Sequence, residues 1–171
     1  MKKILLGLGL FLTLGFVASA QRYAIIDTKY ILDKMPEYKT AQKALDATAE
    51  GWQKEIDQRQ EELNKMYRDF DAEQVMLSEE LKKKREDELF NKEKELRDLQ
   101  KKRFGFEGDL FKERQKLIKP VQDKVYTAVQ KLAVARSYDF ILDKSEGITV
   151  IFADPKLDKS EDVLRELGIR Q

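Results

Sequence analysis

The stretch from about Pro36 to about Arg136 limits this chain more than any other feature, because its apolar residues return at the alternating three-and-four spacing of a helical seam. In the first half the series runs Ala49, Trp52, Ile56, Leu63, Met66, Phe70 and Leu77, with Arg59 and Glu73 as the interruptions at core-type positions. Ser78, followed by Glu79 and Glu80, then predicts a second helix start, since a serine hydroxyl caps free amides and the helix dipole favours acidic side chains in the first turn. From there the series runs Leu89, Leu96, Leu99, Phe106, Leu110 and Leu117, with Lys92, Arg103 and Glu113 as polar interruptions. At 1.5 Å per residue a helix from Pro36 to Met76 is roughly 60 Å long, far beyond the three or four turns usual in a globular domain. The predicted shape is a projecting antiparallel coiled-coil hairpin over residues 36–119, with its tip near residues 74–79.

A second set of large apolar residues lies off that seam. Phe90, Phe104, Phe111 and Ile118 recur at intervals of seven or fourteen, with Arg97 in the vacant slot, and Tyr67 and Met76 are off the seam on the first helix. Two helices cannot bury all of them, so they pack on another copy, pack on a partner helix, or stay open to a transient apolar guest. Tyr67, Met76, Phe90, Phe104 and Phe111 are therefore the candidate binding residues. Gly105 and Gly108 lie within one turn of each other and predict either a close helix-to-helix approach or a hinge. On helix propensity alone, alanine at both positions stiffens and stabilises the rod. Pro120 removes a helical hydrogen bond and predicts a kink where the hairpin leaves its base, making it a third hinge candidate. Gly51, inside the first long helix, costs about 1 kcal/mol relative to alanine.

At the N-terminus, Met1, Lys2 and Lys3 precede the apolar run from Ile4 to Val17 and the small residues Ala18, Ser19 and Ala20. That pattern predicts a secretory signal peptide over residues 1–20, cleaved before Gln21. The chain has no cysteine, which removes a lipid-modified N-terminal cysteine, disulfides and thiolate chemistry together. Histidine, the commonest general base, is absent too. Charged residues make up 38%, and without Lys2 and Lys3 the mature chain carries 31 basic against 32 acidic residues, a net charge near −1. A nucleic-acid binder shows a basic excess, so none is expected as a partner. No metal or cofactor is expected either.

Flanking the hairpin are short segments that predict a small body, residues 21–35 and 120–171. Arg22 to Asp27 has strand character, and Asp27 and Thr28 are candidate caps of a brief helix holding Tyr30, Ile31 and Met35. After Pro120, the apolar face Val121, Val125, Val129, Leu132 and Ala133 is expected to lie on a sheet. Two more strands are predicted as a hairpin, Tyr138 to Asp143 and Ile148 to Ala153, around a turn at Lys144 to Gly147. Asp158 with Glu161 predicts a capping box for a C-terminal helix through Val163, Leu164 and Leu167, stopped at Gly168. The fold class expected is α+β and mainly helical. A body of that size is marginal alone, so assembly with other copies is the physical expectation.

The leading segment, the strand ending in Ile25, Ile26 and Asp27, the charged hairpin, Asp139, Phe140, Ile141, Leu142 and Asp143, and the closing Asp162, Val163 and Leu164 together resemble the Skp/OmpH family of periplasmic chaperones. The resemblance covers the whole mature chain. It implies a jellyfish-like homotrimer in which strands of three chains form the body and three helical tentacles enclose a cavity. It also implies that unfolded outer-membrane proteins are held there without ATP. The best-known members are strongly basic, whereas this mature chain is nearly neutral.

The alternative function is an extracytoplasmic scaffold or adaptor that docks an envelope partner through its hairpin tip. An enzyme is not expected: Asp27, Asp143, Asp154 and Asp158 form the nearest thing to a carboxylate cluster, and each sits where a cap or turn places it. Contact with a membrane surface stays open at this level.

Overall fold

Met35 is extended, as a residue before proline is expected to be, and the long outgoing helix starts directly at Pro36. The computed structural model describes residues 21–145, 147 and 150–169; the expected signal peptide lies outside them. Along the chain these residues form β1 (Tyr23–Ile26), α1 (Thr28–Lys34), α2 (Pro36–Glu73), α3 (Glu79–Phe104), α4 (Asp109–Leu117), α5 (Lys119–Arg136), β2 (Phe140–Asp143), a single 3-10 turn (Pro155–Leu157) and α6 (Ser160–Glu166). The architecture is α+β and mainly helical, with a small two-stranded sheet.

The hairpin is α2 running out and α3 with α4 running back. α2 has 38 residues and is unbroken, so it spans roughly 57 Å. Its apolar stripe meets that of the return limb in a narrow core of Ile56, Leu63, Leu89 and Leu96, with Met66, Phe70 and Leu99 packed alongside. The chain reverses after Glu73, and Ser78 caps α3 by accepting the amide of Leu81 at 3.4 Å. Acidic Glu79 and Glu80 open that helix, and Lys101, Lys102 and Arg103 close it. Both ends thus suit the helix dipole.

The body is built where α1, α5 and α6 converge. Its core joins Ile26, Ile31, Leu32, Met35, Val121, Val125, Ala128, Leu132, Val163 and Leu164. The apolar face of α5 packs against α1 and α6 and shares its core with Ile26 of β1, with Ile141 of β2 packed alongside. One sheet of two parallel strands pairs Tyr23 with Phe140, Ala24 with Ile141, Ile25 with Leu142 and Ile26 with Asp143. The whole hairpin forms the crossover between them.

Two expectations fail here. No second strand of the expected β-hairpin is found among the described residues: residues 148 and 149 lie outside them, and residues 150–153 have no strand structure. The outer side of β1 is instead touched by the chain at Asp158, where the Lys159 amide donates to the Ile25 carbonyl at 2.8 Å. Nor does Asp158 form a capping box with Glu161. Its Oδ1 accepts the Ser160 amide at 2.9 Å in a local turn, while Glu161 accepts the Tyr30 hydroxyl at 2.5 Å. Asp27 does cap α1, accepting the Tyr30 amide at 2.8 Å, and Gly168 follows α6 with a φ of 76°.

Candidate functional site

The aromatic residues of the return limb gather around an interruption that α2 does not share. α3 ends at Phe104, α4 begins at Asp109, and α2 packs against both. Between them, Gly105 and Gly108 are joined by a turn hydrogen bond in which the Gly108 amide donates to the Gly105 carbonyl at 2.9 Å. A Cβ on Gly105 would lie 2.2 Å from the Lys101 carbonyl oxygen, and one on Gly108 2.8 Å from that of Lys102. Both positions therefore exclude a side chain because the chain approaches itself, rather than a neighbouring helix.

Arg103 fastens this break. Its Nη1 donates to Asp109 Oδ2 at 2.8 Å, across the turn, and its Nη2 to Glu55 Oε2 at 3.4 Å, across the hairpin. Its guanidinium also lies over the Trp52 ring, 4.8 Å from the centroid, a favourable stacking of cation on aromatic face. Phe104 meets the same indole edge-on, with centroids 6.5 Å apart. Arg103, a polar interruption of the seam in the sequence, is thus the side chain that ties Trp52, Glu55 and Asp109 together.

The candidate binding residues are distributed along the hairpin. Phe90 projects from α3 with 62% of its surface exposed, and Met76 stands in the tip turn at 78% beside exposed Val75. Tyr67 is half exposed, and its hydroxyl donates to Glu93 Oε2 across the hairpin at 3.3 Å. Desolvation and the neighbouring Glu93 charge push its pKa up, which keeps the phenol protonated. Phe104 and Phe111, exposed at 39% and 47%, flank the break. Pro120 sits in the first turn of α5, directly after the interruption at Ile118.

Two assignments change. Ile118, grouped with the off-seam set, is buried within the single chain. Phe106, assigned to the seam, is instead 97% exposed. The seam rule failed because the turn at residues 105–108 resets the helical phase. The pair of glycines three residues apart was the signal that could have shown it.

In the body, Tyr23 and Phe140 stack across the parallel strands, 5.6 Å apart and 7° from coplanar, with both rings part exposed. Ile151 and Phe152 are almost fully exposed. The four aspartates hold the backbone: Asp27 and Asp154 accept amides of the turns that follow them, Asp143 those of Thr28 and Ser145, and Asp158 that of Ser160 and the Lys144 ammonium. Among the described residues no group of three or more acidic side chains could hold a metal ion, and no helix is long and apolar enough to cross a membrane.

An aromatic-studded helical hairpin standing on a small mixed body is a class of architecture with known relatives. The family model for outer membrane protein (OmpH-like) matches residues 22–167, and the chain belongs to that family. It is 27% identical to the chaperone protein Skp of Yersinia enterocolitica over 98% of this chain and 99% of that protein. A candidate OmpH-like outer membrane chaperone from Caulobacter crescentus, known from its crystal structure, superposes with a TM-score of 0.67 over 87% of this chain and 85% of the other, at 16% identity. That likeness is one of fold.

Proposed function

We propose that the chain is an ATP-independent holdase of the periplasm, which binds unfolded outer-membrane proteins between helical tentacles and keeps them from aggregating. The observation that carries this reading is the series of exposed Phe, Tyr and Met side chains spread along a hairpin that is itself stitched by a narrow seam. An unfolded β-barrel chain offers alternating apolar residues and unpaired strand edges, which associate fast in water. Holding such a chain takes many weak contacts, and Tyr67, Met76, Phe90, Phe104 and Phe111 are spaced to supply them.

The working form is a homotrimer of the mature chain starting at Gln21. The edge of β2 that has no partner strand among the described residues, the exposed Tyr23–Phe140 stack and the bare Ile151 and Phe152 support association of the bodies. Three hairpins around one cavity multiply weak contacts through effective concentration. The reading is not enzymatic: the aspartates are committed to backbone amides, and the chain has no histidine or cysteine.

The test is to dilute a denatured outer-membrane β-barrel protein into buffer with and without an excess of the mature chain, with no nucleotide, and to follow turbidity. Suppressed aggregation supports the reading; equal aggregation in both contradicts it. A second reading, a scaffold docking an envelope partner, draws on the exposed Val75 and Met76 at the tip. Under it, substitutions at those two residues abolish function while substitutions at Phe90 and Phe111 leave it intact.

A further inference from the structure

Four residues, Gly105 to Gly108, form a tight turn in a limb that could have run straight, since α2 beside it does. The turn is costly in three separate ways. It takes two positions that only glycine fits, it holds Glu107 at a φ of 52° where a residue without a side chain is preferred, and it draws a half-buried arginine into ion pairs with Asp109 and Glu55. What the turn produces is an apex carrying Phe106, whose ring is almost wholly in water. Any small polar residue would serve that apex, and an exposed ring contributes nothing to folding. Local strain that the surrounding structure fixes in place, combined with an apolar side chain held outward, marks a residue whose partner lies outside the chain.

We propose that Phe106, presented by this turn, is a contact for the apolar side chains of a non-native polypeptide, with Phe104 and Phe111 as its flanks. The inference rests on the chaperone reading and adds a residue and a rigid presenting device to it. The size of the patch selects this occupant over a second copy. A phenylalanine ring offers about 150 to 250 Å², so the exposed parts of Phe104, Phe106 and Phe111, taken together, sum to no more than roughly 350 Å². A stable partner takes about 800 Å² from each side. A patch of less than half that size suits brief, exchangeable capture. It also suits the mixed charge along this stretch of chain, with Lys101 and Lys102 before Phe106 in sequence and Glu107 after it, which favours no client of one sign.

The experiment compares wild type, Phe106→Ser and Phe106→Leu as the mature full-length chain, using a fluorescently labelled, urea-denatured outer-membrane β-barrel protein as probe. Helicity, melting temperature and oligomer mass are expected to be the same in all three. Phe106→Ser is expected to weaken capture about five- to tenfold and to speed release, and Phe106→Leu to recover most of it. If wild type captures the probe and Phe106→Ser captures it equally well, this inference falls while the chaperone reading stands. If wild type captures nothing, the chaperone reading falls and takes the inference with it. A Phe106→Ser variant of lower oligomer mass assigns the ring to a second copy, and one that unfolds assigns it to packing; either overturns the proposal.

Discussion

Asp143 and Asp158 are part-buried, and that burial opposes their charge, yet both titrate below the usual carboxylate value. For Asp143 the opposing desolvation is outweighed by hydrogen bonds from Thr28 and Ser145; for Asp158, by those from Lys144 and Ser160. A carboxylate whose folded pKa is depressed adds stability above its unfolded pKa and loses it as pH falls. The unfolded chain takes up these protons near 3.8 and the folded chain only below that. Stability measured by urea unfolding is therefore expected to be level from about pH 7 to 5 and to fall below about pH 4.5. Asp143→Asn should flatten that fall and cost about 1 to 2 kcal/mol at neutral pH, through its bonds to the start of α1 and the end of β2. An unchanged acid profile would remove Asp143 from this role. At the same scale, replacing Phe90 and Phe111 together with serine should leave helicity intact and weaken client capture about tenfold, because each ring is worth about 1.5 to 3 kcal/mol when fully buried and only part of that in a mobile complex. The caps at Asp27 and Asp154 were legible in the sequence because a cap needs only its near neighbours, whereas the reach of Asp143 to the Thr28 amide was not. The clasp at Arg103 was not, since Glu55 and Trp52 come from the other limb.

The two limbs of the hairpin respond to glycine replacement in opposite senses. At Gly51, inside α2 and exposed, an added Cβ meets nothing within 4 Å, so Gly51→Ala should raise stability by about 1 kcal/mol. At Gly105 the same change drives a methyl group into the Lys101 carbonyl. Overpacking of this kind costs about 1 to 3 kcal/mol, and the gain in helix propensity does not offset it. Gly105→Ala should therefore destabilise the chain or force the break to rearrange, against the stiffening that propensity alone suggests. Amide hydrogen exchange over residues 100–112 reads either response, and unchanged protection would contradict the close approach. The seam of α2 was legible down to Ile56 and Leu63 because an unbroken helix keeps one phase. Past Gly105 the phase was lost, which is how Phe106 passed for a core residue. The strand expected at residues 148–153 does not appear at residues 150–153, for another reason. Its alternating residues fit a pleated surface, but in the single chain Ile151 and Phe152 are almost fully exposed, so no burial holds a strand there.

On the scale of the whole molecule, a thin seam and a small body carry a surface rich in both charge and exposed aromatics. Near-neutral net charge means that capture cannot rest on long-range attraction, so binding to a client should change little between low and physiological salt. A strong loss of capture over that range would show that local charge, and not the aromatic rings, does the holding. Among the described residues the body leaves one strand edge without a partner strand and apolar side chains bare in the single chain, and three bodies joined there would cover them and bring three hairpins round one space. Mass measured by light scattering on the mature chain, alone and with one denatured outer-membrane β-barrel protein diluted into it, tests this most directly. The expected result is three times the protomer mass without client and that mass plus one client chain with it. A monomer whose mass does not change while the client aggregates would contradict it.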